Sequence, residues 1–147
     1  MKLLRMKKIY SLLVVFLFIS GCSTKGNVFS LEIGQCFQDD LILTETEIEN
    51  VDRIDCKNPH VNEVYEIADL PAGDYPLAGV LERNVLDICY DAFEPYVGQA
   101  YEYSIYEIGG MWPTEEGWEK LDDREVTCYL YEMTGQKKTG TAANSGL

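Results

Sequence analysis

One short stretch of the chain combines the two residue types that most often act together as a nucleophile and a base. It reads IDCKNPHVNE (residues 54–63) and places Cys56 four residues before His60, the only histidine in the sequence. A cysteine is an efficient nucleophile only when a base, and a group that orients the base, lie beside its thiolate. The chemistry open to this pair therefore depends on whether Cys56 is free, and so on the compartment in which the chain folds.

The N-terminal residues predict export. Lysines and an arginine precede an almost unbroken apolar run at Ile9–Ile19, which has the length of a signal-peptide core and is short for a membrane span. The run leads into ISGC, which resembles the lipobox of bacterial lipoproteins. That resemblance implies cleavage of a signal peptide at residues 1–21 and diacylation of Cys22, for example with palmitate. Translation from either Met1 or Met6 leaves basic residues before the apolar run, so the sequence does not decide which is the initiator. An ordinary secretory signal and an uncleaved anchor stay as alternatives.

Two acyl chains on Cys22 would hold the protein stably on the outer face of the bacterial cytoplasmic membrane. Residues 22–28 then read as a lipidated N-terminus and a short polar tether. Residues 1–21 contain four of the twelve Lys+Arg and none of the twenty-five Asp+Glu, so the mature chain has a net charge of −17. Such a chain lacks the basic surface that nucleic acids and anionic headgroups require, so we predict no nucleic-acid partner.

The periodicity of apolar residues predicts one α+β domain. Alternating patterns indicate strands near 29–37, 61–70, 101–105 and 126–131, whereas an apolar stripe at three- and four-residue steps indicates a helix over 77–94. We therefore predict a mainly antiparallel sheet packed against one long amphipathic helix. Thr114 is placed to cap a short helical turn that carries Trp118. The last residues, 139–147, read as a flexible polar tail.

Four cysteines remain once Cys22 is acylated, and an even number in an exported domain indicates disulfides. Four cysteines allow three pairings. Cys89 lies on the apolar stripe of the helix and Cys128 on the apolar face of the last strand, so both face one core. We therefore predict Cys89–Cys128 and, between the early strands, Cys36–Cys56.

Five pieces of the sequence, taken in order, resemble the septum formation domain family of bacterial exported and membrane-anchored proteins. They are LEIGQCF, VDRIDCKNPHVNEVY, CYDAFEPYVG, PTEEGWEKLDDREVTCYLY and the TG at residues 134–135. The resemblance implies a septum-formation-like domain over residues 29–138 and, by the family's name, a link to division. The chain departs from the family at Gly34-Gln35-Cys36, where Gly-Asp-Cys is frequent, and at Leu121–Arg124, where Gly-Asp-Arg is common.

We interpret the candidate site residues as structural. With Cys56 in a disulfide, we expect Pro59 to hold an extended turn and the His60 imidazole to bond a nearby carbonyl or carboxylate; ligand contact and catalysis stay as alternatives. Trp112 and Trp118 are interpreted as anchors of the short helix or, alternatively, as a sugar- or peptide-binding platform. The acidic groups match no calcium loop, and a single histidine is too few for the usual zinc motifs, so we predict no metal and no cofactor.

These observations predict a lipid-anchored envelope protein that acts as a non-enzymatic interaction or structural module. Its partners would be membrane lipid, through acylated Cys22, and an envelope protein or cell-wall component. No catalytic residue is assigned, because no catalytic constellation is recognised. The alternative is a small envelope hydrolase or transferase that uses His60 with a carboxylate; a ligand-binding lipoprotein is a weaker third hypothesis. The alternative would require His60 in a concave pocket.

Overall fold

The computed structural model describes residues 24–27, 30–38 and 50–147. Six strands and two helices follow one another in chain order: β1 (Thr24–Asn27), β2 (Cys36–Phe37), β3 (Asn50–Ile54), β4 (Asn62–Asp69), α1 (Ala78–Val97), β5 (Tyr106–Met111), α2 (Glu115–Leu121) and β6 (Glu125–Glu132). The predicted signal peptide, the acylation site Cys22 and the acidic stretch 39–49 lie outside the described residues. Among the residues that are described, no helix is long and apolar enough to cross a membrane.

The strands form one antiparallel sheet in the order β1-β3-β2-β4-β6-β5. The longest pairing joins β4 to β6, from Asn62 opposite Tyr131 to Asp69 opposite Glu125, with an irregularity between Val64 and Glu66. The predicted α+β class and antiparallel sheet are confirmed. The prediction of one long helix is incomplete, because the short helical turn expected at Trp118 is a second helix, α2. Its N-cap is Thr114, whose hydroxyl accepts a hydrogen bond from the Gly117 amide at 3.1 Å.

Helix α1 covers one face of the sheet. Its buried residues recur every four positions: Leu81, Val85, Cys89, Phe93 and Val97. They pack with residues of β4 and β6 in the larger core cluster, and the Tyr65 hydroxyl donates a hydrogen bond to the Cys89 carbonyl at 2.7 Å. Leu31, Phe37, Val51, Val64 and Tyr129 form a second cluster on the other face. Because neighbouring strand residues point to opposite faces, Val64 and Tyr65 belong to different clusters.

The helix runs past the predicted end at residue 94. Pro95 lies inside α1 and removes one intrahelical hydrogen bond, but both Pro95 and Asp91, whose carbonyl loses its partner, are exposed to water. The helix ends instead at Gly98, which has φ 81° and whose amide donates to the Glu94 carbonyl at 2.8 Å. Glycine suits this left-handed position because it has no Cβ.

Two predicted strands differ from the structure. The first is only two residues long, because a turn at Gly34 (φ 85°) directly precedes it. Where a strand is predicted at 101–105, residues Tyr101–Tyr103 form a 3₁₀ turn instead; β5 begins at Tyr106 and includes the pair Gly109 and Gly110. A Cβ at Gly109 would lie 2.2 Å from the Tyr129 ring, and one at Gly110 would lie 2.7 Å from Val85. These glycines let β5 approach its neighbours closely.

Both predicted disulfides are present. Cys36 and Cys56 are joined by an S–S bond of 2.01 Å, and Cys89 and Cys128 by one of 1.99 Å. The second disulfide links α1 to β6 inside the larger core cluster. The first links β2 to the loop that follows β3, next to His60 and its neighbours.

The C-terminal residues 139–147 pack against the domain, so the prediction of a flexible tail is wrong. Backbone hydrogen bonds join Gly140 N to the Cys56 carbonyl, Asn144 N to the Tyr96 carbonyl at 2.8 Å and Gly146 N to the Val97 carbonyl at 2.9 Å. Ala142 is completely buried. Composition alone misses this segment because its small polar residues bind through their backbone rather than through an apolar stripe.

Candidate functional site

A buried carboxylate forms the most highly connected polar site in the described part of the chain. Glu63 lies on β4, directly opposite Cys36 of β2 and Leu130 of β6, and is 0% exposed. A charged group at such a position must be paired, because its transfer out of water is costly. We call its side chain and the groups that contact it, together with His60, the Glu63 cluster; the contacting residues are Tyr96, Lys138, Thr141 and Ala142.

Four residues supply hydrogen bonds to the Glu63 carboxylate. Oε1 accepts from the Tyr96 hydroxyl at 2.8 Å, from the Thr141 hydroxyl and from the Ala142 amide at 3.1 Å. Oε2 accepts from the Ala142 amide at 2.8 Å and from the Lys138 ammonium, which also forms an ion pair with it. Two of the four donors, Thr141 and Ala142, lie in the C-terminal segment, and Lys138 directly precedes it, so the carboxylate fixes this segment to the sheet.

The cluster keeps Glu63 ionised. Burial alone would raise the pKa of its carboxyl group, but the hydrogen bonds from Lys138 and Thr141, the positive charge of Lys138 and the Ala142 amide outweigh burial. The pKa of Glu63 therefore lies below its usual value of 4.5. Burial and the hydrogen bond to Glu63 raise the pKa of the Tyr96 hydroxyl, so this phenol stays protonated as a donor.

His60 lies beside Glu63 and is also 0% exposed. Its backbone forms an isolated antiparallel bridge with Lys138, with N–H···O distances of 2.9 and 3.0 Å. Its Nδ1 lies 2.9 Å from the Asn58 carbonyl and must donate there, because a carbonyl only accepts. Burial lowers the pKa of His60 from 6.5, so the ring is neutral and its proton is on Nδ1. Nε2 is buried and has no hydrogen-bond partner among the described residues.

The cluster meets the first disulfide. The Cys36 sulfur, one ring nitrogen of His60 and a Glu63 oxygen lie within 4.8 Å of one another, and all three residues are buried. Because the Cys36 sulfur is bonded to Cys56, it is neither a nucleophile nor a metal ligand in this form. Pro59 is exposed, and its carbonyl accepts a hydrogen bond from the Gln38 side chain.

The two tryptophans do not share one environment. Trp118 is buried, donates its indole N–H to the Gly73 carbonyl at 2.8 Å and carries the Arg124 guanidinium 3.7 Å from its ring centre. It therefore anchors α2, as the structural interpretation expects. Trp112 is 43% exposed at the end of β5. The two indoles therefore differ in exposure, and only that of Trp118 lies in the core.

The acidic residues after α2 have local roles. Asp122 has φ 56° at the C-cap of α2 and pairs with Arg124 at 2.9 Å, and Asp123 accepts a hydrogen bond from the Glu125 amide at 3.0 Å. The positive φ gives a physical reason for the glycine that the family favours in this stretch. The acids at Asp39–Glu49 lie outside the described residues.

A shallow groove of about 380 Å³ lies on the exposed side of α1. Tyr90 and Tyr101 meet edge to face across it, with ring centres 5.9 Å apart. Carboxylates and aromatic rings together suit a cationic group. The lining residues are Tyr90, Asp91, Glu94, Pro95, Ala100, Tyr101 and Glu102.

Sequence reasoning found His60 but missed Glu63, Tyr96 and Lys138. One signal was present: on an alternating strand, Glu63 falls between Val61 and Tyr65, on the face that a helix must cover. A carboxylate on such a face is rarely buried without a partner. Nothing in the sequence identified Lys138 as that partner, because it lies 75 residues away in a polar stretch.

Fold and site together define a disulfide-linked α+β domain whose buried polar cluster fastens its own C-terminal segment. The chain belongs to the Septum formation family, whose model matches residues 33–146. That match includes residues 139–146 of the C-terminal segment and all four disulfide cysteines. No curated protein and no solved structure matched the chain. The family and the disulfides are consistent with an exported envelope protein.

Proposed function

We propose that this protein is anchored by lipid on Cys22 to the outer face of the cytoplasmic membrane and acts there as a non-enzymatic interaction or structural module in division. The proposal rests on one observation: the polar groups of the Glu63 cluster are directed into the domain rather than towards a ligand. Its carboxylate, ammonium and imidazole contact the protein's own backbone and side chains. A cluster used in this way supports a structural role for the most elaborate polar site described.

The hydrolase or transferase alternative requires a base that substrate can reach. His60 is 0% exposed, and the adjacent carboxylate of Glu63 is 0% exposed as well. The group that orients the imidazole is the Asn58 carbonyl rather than a carboxylate. These three facts favour the structural role of His60 over the role of general base.

The proposed anchor is tested by Cys22→Ala. We expect this variant to remain uncleaved or to be released without lipid, and detergent phase partitioning of envelope fractions measures the difference. A variant that is still cleaved and still enters the detergent phase would contradict the lipoprotein proposal. Ser23→Ala, next to the same site, is the matched control and should partition like the wild type.

A partner for an acidic, tethered domain should present basic groups, because opposite charges steer and select an encounter. The groove beside α1 offers carboxylates and tyrosine rings for this. A photo-crosslinking residue at Glu94, in the groove, should give adducts in intact envelopes, whereas the same residue at Gln136, far along the chain, serves as the control. Equal adducts at both positions would argue against a specific surface.

The absence of catalysis is tested by complementation of a strain that lacks the protein, with cell length as the measurement. His60→Gln removes the only imidazole, and we expect it to restore wild-type cell length when circular dichroism shows a folded domain. Loss of complementation by folded His60→Gln, together with turnover of an envelope substrate by the wild type alone, would favour the enzyme.

A further inference from the structure

We propose that reduction of the Cys36–Cys56 disulfide turns the region beside Glu63 into a zinc site. The ligands are the two released thiolates, His60 Nε2 and the Glu63 carboxylate. The proposal rests on the juxtaposition of a disulfide, an unpartnered buried ring nitrogen and an ionised carboxylate on neighbouring strands. It does not depend on the proposed function in division.

The unpartnered nitrogen of His60 is the observation that points to a ligand. Buried polar atoms nearly always have a partner, so one that lacks it needs an explanation. The Nδ1 proton is held by the Asn58 carbonyl, which leaves a lone pair on Nε2. Metal-bound histidines typically show this same arrangement, with the second ring nitrogen donating to a backbone carbonyl.

The distances place the donors around one position. The Cys36 sulfur, a ring nitrogen of His60 and a Glu63 oxygen lie within 4.8 Å of one another, and the Cys56 sulfur is 2.01 Å from that of Cys36. Four ligands that each lie about 2.0–2.3 Å from a central ion fit separations of this size after small shifts. Two thiolates and an imidazole select zinc over magnesium or calcium.

Lys138 is the group that must move. Its ammonium contacts Glu63 Oε2 and would oppose a cation there. A second acceptor is already available, because Lys138 Nζ also donates to the Gly140 carbonyl at 3.2 Å. Glu63 keeps its hydroxyl and amide donors, and hydrogen-bonded carboxylates are normal zinc ligands.

The different exposure of the two cysteines sets the direction of reduction. Cys36 is fully buried, whereas Cys56 is partly exposed, so a thiolate of a small or protein dithiol attacks the Cys56 sulfur. The S–S bond breaks and its electron pair leaves on Cys36. The second thiolate of the reductant then displaces Cys56 and forms the reductant's own disulfide. In sum, one dithiol supplies two electrons and two protons are released, while zinc holds both thiolates.

The variant Cys56→Ser tests the site without any reductant, because it leaves Cys36 as a free thiol beside His60. With Co²⁺ alone, we expect a thiolate-to-metal charge-transfer band at one equivalent, and Zn²⁺ should displace the Co²⁺. Adding His60→Gln to Cys56→Ser should weaken binding at least about tenfold, on the scale known for residues around metal sites. The oxidised wild type, in which Cys36 and Cys56 are bonded to each other, should bind neither ion at this site.

The proposal is overturned if folded Cys56→Ser gives no thiolate band, or if His60→Gln leaves its affinity unchanged. Should Cys56→Ser fail to fold, native mass spectrometry of the wild type across a dithiol redox titration decides instead. Zinc retained only by the species with Cys36 and Cys56 reduced supports the site. Zinc bound equally by oxidised and reduced species would be adventitious and would contradict it.

Discussion

The two disulfides are the same bond in opposite surroundings. Cys89–Cys128 lies between helix and sheet, with both residues fully buried in the larger apolar cluster. Cys36–Cys56 lies outside both apolar clusters, with Cys56 partly exposed and with His60 and Glu63 as neighbours. The first is surrounded by side chains that only pack. The second is surrounded by groups that bind protons, donate hydrogen bonds and could bind an ion.

The difference shows how one small domain separates stability from chemistry. The apolar side of the molecule joins α1 to the sheet through side chains that exclude water. The polar side closes the chain, because Glu63 gathers donors from the C-terminal segment and His60 pairs with Lys138. Substitutions on the apolar side should therefore change stability alone, whereas substitutions on the polar side should also change its pH and redox dependence.

The largest expected effect separates the two disulfides by stability. Removing Cys89–Cys128 with a Cys→Ala pair should lower the free energy of unfolding by about 4 kcal/mol, and removing Cys36–Cys56 by about 3 kcal/mol, on the chain-entropy model. The order follows from sequence separations of 39 and 20 residues, and the core pair adds a cavity. Denaturant titration measures both. A larger loss for Cys36–Cys56 would break the comparison.

The next effect concerns the buried ion pair. Lys138→Met leaves the Glu63 carboxylate buried beside an apolar side chain, and losing one partner of such a pair costs about 3–5 kcal/mol. We expect about 3 kcal/mol, near the lower end, because Tyr96, Thr141 and Ala142 still donate to it. The double variant Glu63→Gln/Lys138→Met should lose less than the sum of the single variants. Additive losses in urea titrations would mean that the two groups do not interact.

The apolar side of the molecule could be predicted from sequence to a large extent. Residues such as Leu81, Val85 and Cys89 repeat at helical spacing, and Cys128 alternates with outward-facing neighbours, so local periodicity identified the helix, the last strand and their disulfide. Periodicity did not identify the true extent of β5. Its Gly109 and Gly110 read as breakers, and only the packing of other chain segments against them explains their presence in a strand.

The polar side was much less predictable. His60 was recognisable because it is unique, and its bond to a backbone carbonyl is the role expected for it. Glu63 and Lys138 are common residue types separated by 75 positions, and no local pattern relates them. The C-terminal segment that they fix has a composition typical of a flexible tail. Its order comes from long-range contacts that a single sequence does not encode locally.

A smaller effect is the pH dependence of the polar side. His60 has a lowered pKa when folded, so the unfolded chain binds the extra proton and stability falls as pH decreases below 6.5. The pKa of Glu63 is also lowered; its contribution is complete above 4.5 and is lost as pH falls through the folded value. His60→Gln should lower the free energy of unfolding by about 0.5–1.5 kcal/mol at neutral pH. It should remove the pH dependence in the upper window, just below pH 6.5, and keep that in the lower window, where Glu63 titrates.

Thermal unfolding across the pH range measures these two windows. Glu63→Gln serves as the matched variant, because it should flatten the lower window and leave the upper one. If the melting temperature of His60→Gln keeps the wild-type pH dependence between pH 6.5 and the range in which Glu63 titrates, the imidazole is not the titrating group. Variants of the core disulfide should keep both windows, because no titratable group of the cluster contacts Cys89 or Cys128 through a described hydrogen bond.

The smallest effect comes from a control lysine. Lys120 pairs with Glu116 at 2.7 Å on α2, but their side chains are 68% and 74% exposed. Water already solvates both charges and salt screens them, so such a pair contributes only about 0.3–0.5 kcal/mol. Lys120→Met should therefore lower the free energy of unfolding by no more than about 0.5 kcal/mol, and the difference should vanish in high salt. Lys138→Met makes the same chemical change where the partner is buried, and its larger cost should persist in salt. If the two lysine variants lose equal free energy of unfolding in parallel urea titrations, burial of Glu63 does not strengthen its ion pair with Lys138.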